Sequence, residues 1–239
     1  MTDSAASDVR IWSCDMDAIQ VDDAYIGFVL TAVECERGER FKSDVLRRRY
    51  RIGRAATRKI LGEWLGEKPN KLDIRVTEQG KPFIPEGPMF NVSHSERYLM
   101  IGVCADMELG VDIETVKPID DFQSVARRQF SDRERDALAA LPEEDRLCGF
   151  YRLWTRKEAV AKALGKGLAM DFTSFSVSLA ESSQCESIEI SATFPSDRAC
   201  FVRPCSLFGE AESAIASTGS FRIAQQFHLG DHLNWVEGT

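Results

Sequence analysis

The stretch Phe150 to Leu168, FYRLWTRKEAVAKALGKGL, constrains the fold of this chain more than any other. Read at 3.6 residues per turn, Phe150, Leu153, Trp154, Ala161 and Leu164 form one apolar stripe, so the segment is a helix with a buried face. Gly165 ends it, ahead of the Lys166–Gly167 turn, as a glycine C-cap does. Packing does not require the charges it carries. Lys157 and Glu158 follow the stripe's Trp154, and Lys162 lies four residues past Glu158 on the same side. Such a pair reads as an ordinary solvated i,i+4 pair. It also reads as a carboxylate and an amine held at the edge of a cleft.

A second long helix is predicted over Ser43–Leu65, with Ser43 as N-cap and Ile52, Ala55, Ala56, Ile60 and Leu61 among the residues at helical spacing. Its opposite side carries Arg47, Arg48, Arg49, Arg51, Arg54, Arg58 and Lys59. These form a solvated basic face or a docking surface for phosphates or an acidic partner. Residues 1–24 are a polar start with Val9–Trp12 as an edge strand, and Tyr25–Val33 is predicted as a buried strand. Leu72–Val76, Met89–Val92, Tyr98–Cys104 and Leu109–Ile113 are further predicted strands, with Ser93–His94–Ser95 as a loop. Glu78–Pro82 is a turn and Phe83–Pro88 an extended loop. Helices are predicted over 122–140 and over Pro142–Gly165. In the tail, Phe175–Leu179, Ile188–Thr193, Ala199–Val202 and Phe221–Phe227 alternate apolar and polar, as antiparallel strands do. Each half runs helix then strands, which points to a duplicated α+β unit joined near 106–118.

At 239 residues, 44% of them hydrophobic and 28% charged, the chain is sized for one large domain or two modest ones. A formal net charge of −8 argues against a nucleic-acid-binding protein, while leaving room for a local basic site for an anion. No apolar run approaches the roughly 18 residues that span a bilayer, and the first ten residues hold no apolar leader core. Seven cysteines with no CxxC pair give neither a disulfide framework nor a zinc pattern, and three histidines are too few and scattered for a His-built metal site. Reduced thiols and a cytoplasmic location are expected.

Asp112 and Glu114 stand at i and i+2 of a strand, so their carboxylates share a face. They repel unless a cation lies between them, or they are simply polar residues at a strand end. Oxygen ligands of this kind suit Mg²⁺, which shares its coordination sphere with substrate phosphates. Glu158 is a third carboxylate if its helix packs over that strand end. His94, with neighbouring hydroxyls and loop amides, suits an anion or is a structural hydrogen-bonder, and no triad spacing surrounds it. Lys81, locked between Gly80 and Pro82, is a surface lysine or a further cation on a stiff turn. Together these groups fit a site for a nucleotide containing a diphosphate.

Five motifs in order carry a family resemblance: GKP at Gly80–Pro82, FNVSHS at Phe90–Ser95, GVDIE at Gly110–Glu114, FSDRE at Phe130–Glu134, and WTRKEAVAKALGKGL at Trp154–Leu168. Over about Arg47 to Leu179 the chain closely resembles the Sfp-type 4'-phosphopantetheinyl transferases. The resemblance implies an α+β pseudo-dimer of two similar halves with the active site at their junction. Residues 1–108 would be the coenzyme A 3'-phosphate side and 109–239 the Mg²⁺-binding and catalytic side. It implies transfer of 4'-phosphopantetheine from coenzyme A to a serine of an apo acyl or peptidyl carrier protein, with release of adenosine 3',5'-bisphosphate. Asp112, Glu114 and Glu158 would be the metal ligands, with Asp112, Glu158 and Lys162 catalytic. Arg51, Lys81, Asn91, Ser93, His94 and Lys162 would contact coenzyme A, with Arg75 in a related part. A cytoplasmic monomer that uses neither nucleic acid nor membrane is expected. A Mg²⁺-dependent hydrolase of a nucleotide diphosphate, or a non-catalytic module that binds coenzyme A or a carrier, would use the same residues.

Overall fold

This computed structural model describes residues 6–167, 170–181, 184–188 and 199–237. The first half runs β1 (Ser7–Asp15), α1 (Asp23–Val29), α2 (Ala32–Glu39), α3 (Asp44–Leu65), β2 (Arg75–Val76), β3 (Pro82–Phe83), β4 (Met89–Ser95) and β5 (Tyr98–Cys104). The second runs β6 (Leu109–Thr115), α4 (Phe122–Gln129), α5 (Asp132–Ala139), α6 (Arg146–Ala163), β7 (Glu186–Ile188), β8 (Cys200–Pro204), β9 (Ala211–Ser217), β10 (Phe221–Leu229) and β11 (Trp235–Glu237). One sheet has the order β11-β10-β1-β5-β4 and another β6-β9-β8-β7. The α+β pseudo-dimer is plain in these orders: β1-β5-β4 is matched by β6-β9-β8, and each lead strand is followed by three helices.

The duplication extends to single side chains. Thr31 caps α2 in a reciprocal capping box with Glu34, and Ser131 caps α5 in the same way with Glu134. Each glutamate then meets a buried cation from the long helix of its half. Glu34 receives Arg58 Nε at 2.6 Å as well as Arg54, and Glu134 pairs with Lys157 Nζ at 2.9 Å. Lys157 is 0% exposed, and its other two protons go to the carbonyls of Phe172 and Phe175 at 2.6 and 2.8 Å. A buried ammonium with all three donors satisfied is tolerated, and one left unpaired is not.

Three apolar clusters follow from this plan. One fills the first half beneath α3 and one the second half beneath α6. The third, with Val9, Ile11, Met100, Val111, Ile113 and Ile215, lies where the two sheets meet. In helix α6 the expected stripe residues Phe150, Leu153 and Ala161 are buried and Trp154 and Leu164 half-buried, but Thr155, Arg156, Lys157, Ala159 and Val160 are buried as well, so the helix is enclosed on more than one face. Gly165 adopts φ +65°, while Lys166 N–H bonds Ala161 O and Gly165 N–H bonds Lys162 O, a Schellman end. Helix α3 begins on the expected Ser43 cap. Among the described residues no helix is long and apolar enough to cross a membrane.

Several expectations are corrected. Tyr25–Val33 is not a strand but α1 and the start of α2. Its buried residues Ile26, Val29 and Leu30 recur at helical spacing while Phe28 and Val33 are exposed, and Asp22 and Thr31 supply caps. Val9–Trp12 is no edge: β1 lies between antiparallel β5 and parallel β10. The Phe221–Phe227 strand is therefore parallel to its main partner rather than antiparallel, because the chain crosses back from the second half to the first sheet. The helix expected over 122–140 breaks at Phe130, where Ser131 starts a new helix. Phe175–Leu179 is irregular, since Val177 N–H bonds the Glu134 carboxylate at 2.8 Å instead of a neighbouring strand. Ser93–His94–Ser95 continues strand β4 rather than forming a loop. The Ile188–Thr193 strand is described only to Ile188, and its remainder, like Leu168, lies outside the described residues. With β10 and β11 in the first sheet, a division at 108/109 cuts across strand pairing at the C-terminal end.

Gly110 sets the distance between β6 and α6. A β-carbon there would lie 2.0 Å from Ala159 O and 2.4 Å from Ala163 N, so the helix backbone rests directly on the strand. Gly110→Ala is expected to lower unfolding stability by about 3 kcal/mol, the upper end for overpacking. Exposed Gly27 has nothing within 4 Å of the added carbon. Gly27→Ala is expected to raise stability by about 0.5 kcal/mol through helix propensity. Urea midpoints for the two variants check this opposition.

Candidate functional site

Strand β6 has one edge paired to β9 and the other turned toward β4. Its free amides on that side are met by side chains. Val111 N–H bonds Asn91 Oδ1 at 2.9 Å, Ile113 N–H bonds Ser93 Oγ at 3.4 Å, and Thr115 N–H bonds Ser95 Oγ at 3.1 Å. Alternate residues of β4 thus serve alternate amides of β6, as the two-residue period of a strand requires. The even-numbered side chains of β6, Asp112 and Glu114, share the face that Gly110 presses against α6, which brings Glu158 and Lys162 to them.

Asp112 is 3% exposed. Its Oδ1 accepts from Lys162 Nζ at 2.6 Å and from Ser93 Oγ at 2.9 Å, while its Oδ2 is buried with no hydrogen-bond partner. Lys162 Nζ also reaches Ser93 Oγ at 3.1 Å and Val111 O at 3.2 Å, so all three of its protons are directed inward. Glu114 Oε2 accepts from Ser95 Oγ at 2.6 Å. Burial pushes the Glu114 carboxyl above the ordinary range; the Ser95 bond opposes this and the Asp112 charge adds to it. Glu158 is also pushed up, first by burial, then by Asp112, with Lys162 opposing and Glu114 adding. Three carboxylates and one ammonium therefore form one electrostatic unit. Among the described residues no three His, Cys, Asp or Glu side chains are gathered closely enough to enclose a metal ion. The donor chemistry nevertheless fits a hard divalent cation, and the orphaned Oδ2 is the kind of atom such an ion would satisfy.

The other predicted residues are placed as follows. Asn91 and Ser93 are buried, with their side chains on β6. The amides around His94 are those of strand β4 rather than of the expected loop, and the flanking hydroxyls of Ser93 and Ser95 donate to carboxylates. His94 is exposed and within electrostatic reach of Lys162. Lys81 ion-pairs with Glu108 at 2.6 Å, Arg51 with Asp23 at 2.9 Å and Arg75 with Asp73 at 2.7 Å. Helix α3 is not a row of uncompensated cations. Arg47 meets Asp44, Arg49 meets Asp17, Arg54 and Arg58 share Glu34, and Lys59 meets Glu63. Arg48 donates to the carbonyls of Met16 and Ile19. Sequence reasoning missed the Ser95–Glu114 bond and the Glu134–Lys157 pair. The polar period of two in Asn91, Ser93 and Ser95 was the available signal for the first.

Residues 108–206 match the family model of the 4'-phosphopantetheinyl transferase superfamily. The chain is 34% identical over 169 residues to 4'-phosphopantetheinyl transferase HetI of Nostoc sp., covering 69% of this chain and 71% of that one. It is 37% identical over 182 residues to 4'-phosphopantetheinyl transferase Sfp of Bacillus subtilis strain 168, covering 70% and 79% respectively. A 4'-phosphopantetheinyl transferase of Bacillus subtilis is 34% identical over 194 residues, covering 79% and 84%.

The clustered carboxylates work against stability. A carboxyl whose folded pKa is raised holds its proton to higher pH in the folded state than in the unfolded chain. Stability therefore falls as pH rises from the unfolded value through the folded one, and the deficit is complete above it. Glu158→Gln is expected to raise the Tm by a few degrees at pH 7.5 in EDTA, and to match wild type near pH 4. Thermal melts at the two pH values check it.

Proposed function

The chain belongs to the 4'-phosphopantetheinyl transferase superfamily, and from that premise we propose that it moves 4'-phosphopantetheine from coenzyme A onto a serine hydroxyl of an apo acyl or peptidyl carrier protein, with release of adenosine 3',5'-bisphosphate. The observation that carries this reading is the meeting of Asp112, Glu114 and Lys162, with Glu158 in electrostatic contact, where the two halves join.

Transfer of a phosphoryl-type group asks chiefly for charge neutralisation and alignment. Asp112, Glu114 and Glu158 would hold a divalent cation, Mg²⁺ by donor type, and the bound ion supplies charge neutralisation at the diphosphate. Lys162 is a point charge on a flexible stem whose head sits beside Asp112; it would contact the diphosphate and stabilise charge on the leaving oxygen. Glu158 would take the serine proton, through a water in preference to directly, because a carboxylate that also holds the cation is itself a weak base. Arg51, Lys81 and His94 are the proposed contacts to the phosphates of coenzyme A, with Asn91 and Ser93 in support. Binding at Arg51 or Lys81 exchanges a carboxylate partner for a phosphate. In this reading residues 1–108, with β10 and β11 completing their sheet, form the 3'-phosphate side, and the remainder of 109–239 the cation-binding and catalytic side. One chain supplies both sides, so a monomer suffices in this reading.

The test is incubation with coenzyme A, MgCl₂ and a panel of apo carriers, read by intact mass. A phosphopantetheine mass increase on a carrier is expected. Asp112→Ala, Glu158→Ala and Lys162→Ala are each expected to slow it by roughly 10²–10⁴-fold while keeping a cooperative melt. Hydrolysis of a nucleotide diphosphate with no carrier modified would overturn the reading in favour of a hydrolase.

A further inference from the structure

The hydroxyls that join β4 to β6 do more than satisfy amides. Ser95 Oγ gives its one proton to Glu114 Oε2 at 2.6 Å and receives Thr115 N–H at 3.1 Å, while Thr115 Oγ1 returns a bond to Ser95 O at 3.3 Å. Ser93 Oγ gives its proton to Asp112 Oδ1 at 2.9 Å and receives Ile113 N–H and Lys162 Nζ. Both hydroxyls are thus fixed by the backbone of the strand that bears the carboxylates. The same arrangement occurs twice, two residues apart on each strand. Each carboxylate has one oxygen committed and one uncommitted: among the described residues neither Asp112 Oδ2 nor Glu114 Oε1 makes a hydrogen bond.

We propose that Ser95, with Ser93 beside it, is a positioning residue that limits each strand carboxylate to a single oxygen for a divalent cation and thereby selects Mg²⁺ over Ca²⁺. This rests on the reading of Asp112, Glu114 and Glu158 as cation ligands. Mg²⁺ demands near-octahedral geometry and takes one oxygen from each carboxylate, whereas Ca²⁺ accepts more ligands and commonly takes both oxygens of one carboxylate. A serine proton on one oxygen of the glutamate occupies one of that oxygen's two lone pairs and holds the carboxylate in orientation, which disfavours chelation through both oxygens. Partners behind a ligand fix its orientation, and their loss commonly weakens metal binding at least tenfold. Serine 95 acts through Glu114 and touches no reacting atom in this scheme.

The full chain is titrated with MnCl₂, with free Mn²⁺ followed by its electron paramagnetic resonance signal, and bound Mn²⁺ is then displaced with MgCl₂ or CaCl₂. Wild type is expected to release Mn²⁺ to Mg²⁺ at lower concentration than to Ca²⁺. Ser95→Ala should weaken Mg²⁺ about tenfold and leave Ca²⁺ equal or tighter, so the ratio moves toward Ca²⁺. Ser95→Thr, which keeps the hydroxyl, should retain the wild-type ratio. Should Ser95→Ala not fold, Ser95→Cys keeps the volume with a weaker donor and should shift the ratio the same way. An unchanged ratio in the hydroxyl-deleted variant, or a Ser95→Thr ratio equal to that of Ser95→Ala, overturns the proposal while leaving the cation reading intact. Failure of the wild type to bind Mn²⁺ at all overturns both.

Discussion

The molecule depends on how one strand edge is satisfied. Strand β6 heads the second sheet, and a buried edge with unpaired amides would be untenable. Among the described residues no strand pairs its backbone with that edge, although β4 lies along it. Side chains of β4 do so instead, Asn91, Ser93 and Ser95 each taking one amide. The junction of the halves is therefore a set of directed hydrogen bonds laid over an apolar seam of Val111 and Ile113 against Met100 and Ile11. The bonds fix the register, and the seam supplies the area. Because Asp112 and Glu114 alternate with the residues so held, fixing the junction fixes the carboxylates.

Helix α6 completes this from the other side. Its contact with Gly110 leaves no room for a side chain between helix and strand, so Lys162 reaches Asp112. Lys157, one residue from Glu158, is tied to Glu134 and two carbonyls, which holds the helix in rotation as well as in depth. The reactive-looking face and the anchoring face of α6 are thus set by adjacent residues of opposite role. One is buried and satisfied, and the other is half-buried and bonded to nothing among the described residues.

What was legible beforehand follows the range of the interactions concerned. Helices α3 and α6 were readable because period and caps are local: Ser43 and Gly165 lie within a turn of what they terminate. The i, i+2 placement of Asp112 and Glu114 was readable for the same reason. A short apolar run such as Tyr25–Val33 looks alike in strand and helix, and the caps Asp22 and Thr31 decide it. The parallel β1–β10 pairing joins residues more than two hundred positions apart, which no window of sequence reports. The basic side of α3 looked like a surface for anions because its partners, Asp17, Asp23 and Glu34, come from other elements.

The repeated capping boxes carry one more implication. Counted from the buried cation of each half, Arg58 and Lys157, the next residue and the one four beyond it are Lys59 and Glu63 in α3, but Glu158 and Lys162 in α6. The same two helical positions hold the same two charge types in reversed order. In the first copy they neutralise each other at 3.1 Å as an ordinary surface pair. In the second the strand opposite brings its own acids, and the lysine is ion-paired with one of them, Asp112, at 2.6 Å. Twofold in architecture, the chain is not twofold in its charges: equivalent helical positions close on each other in one repeat and face the strand acids in the other.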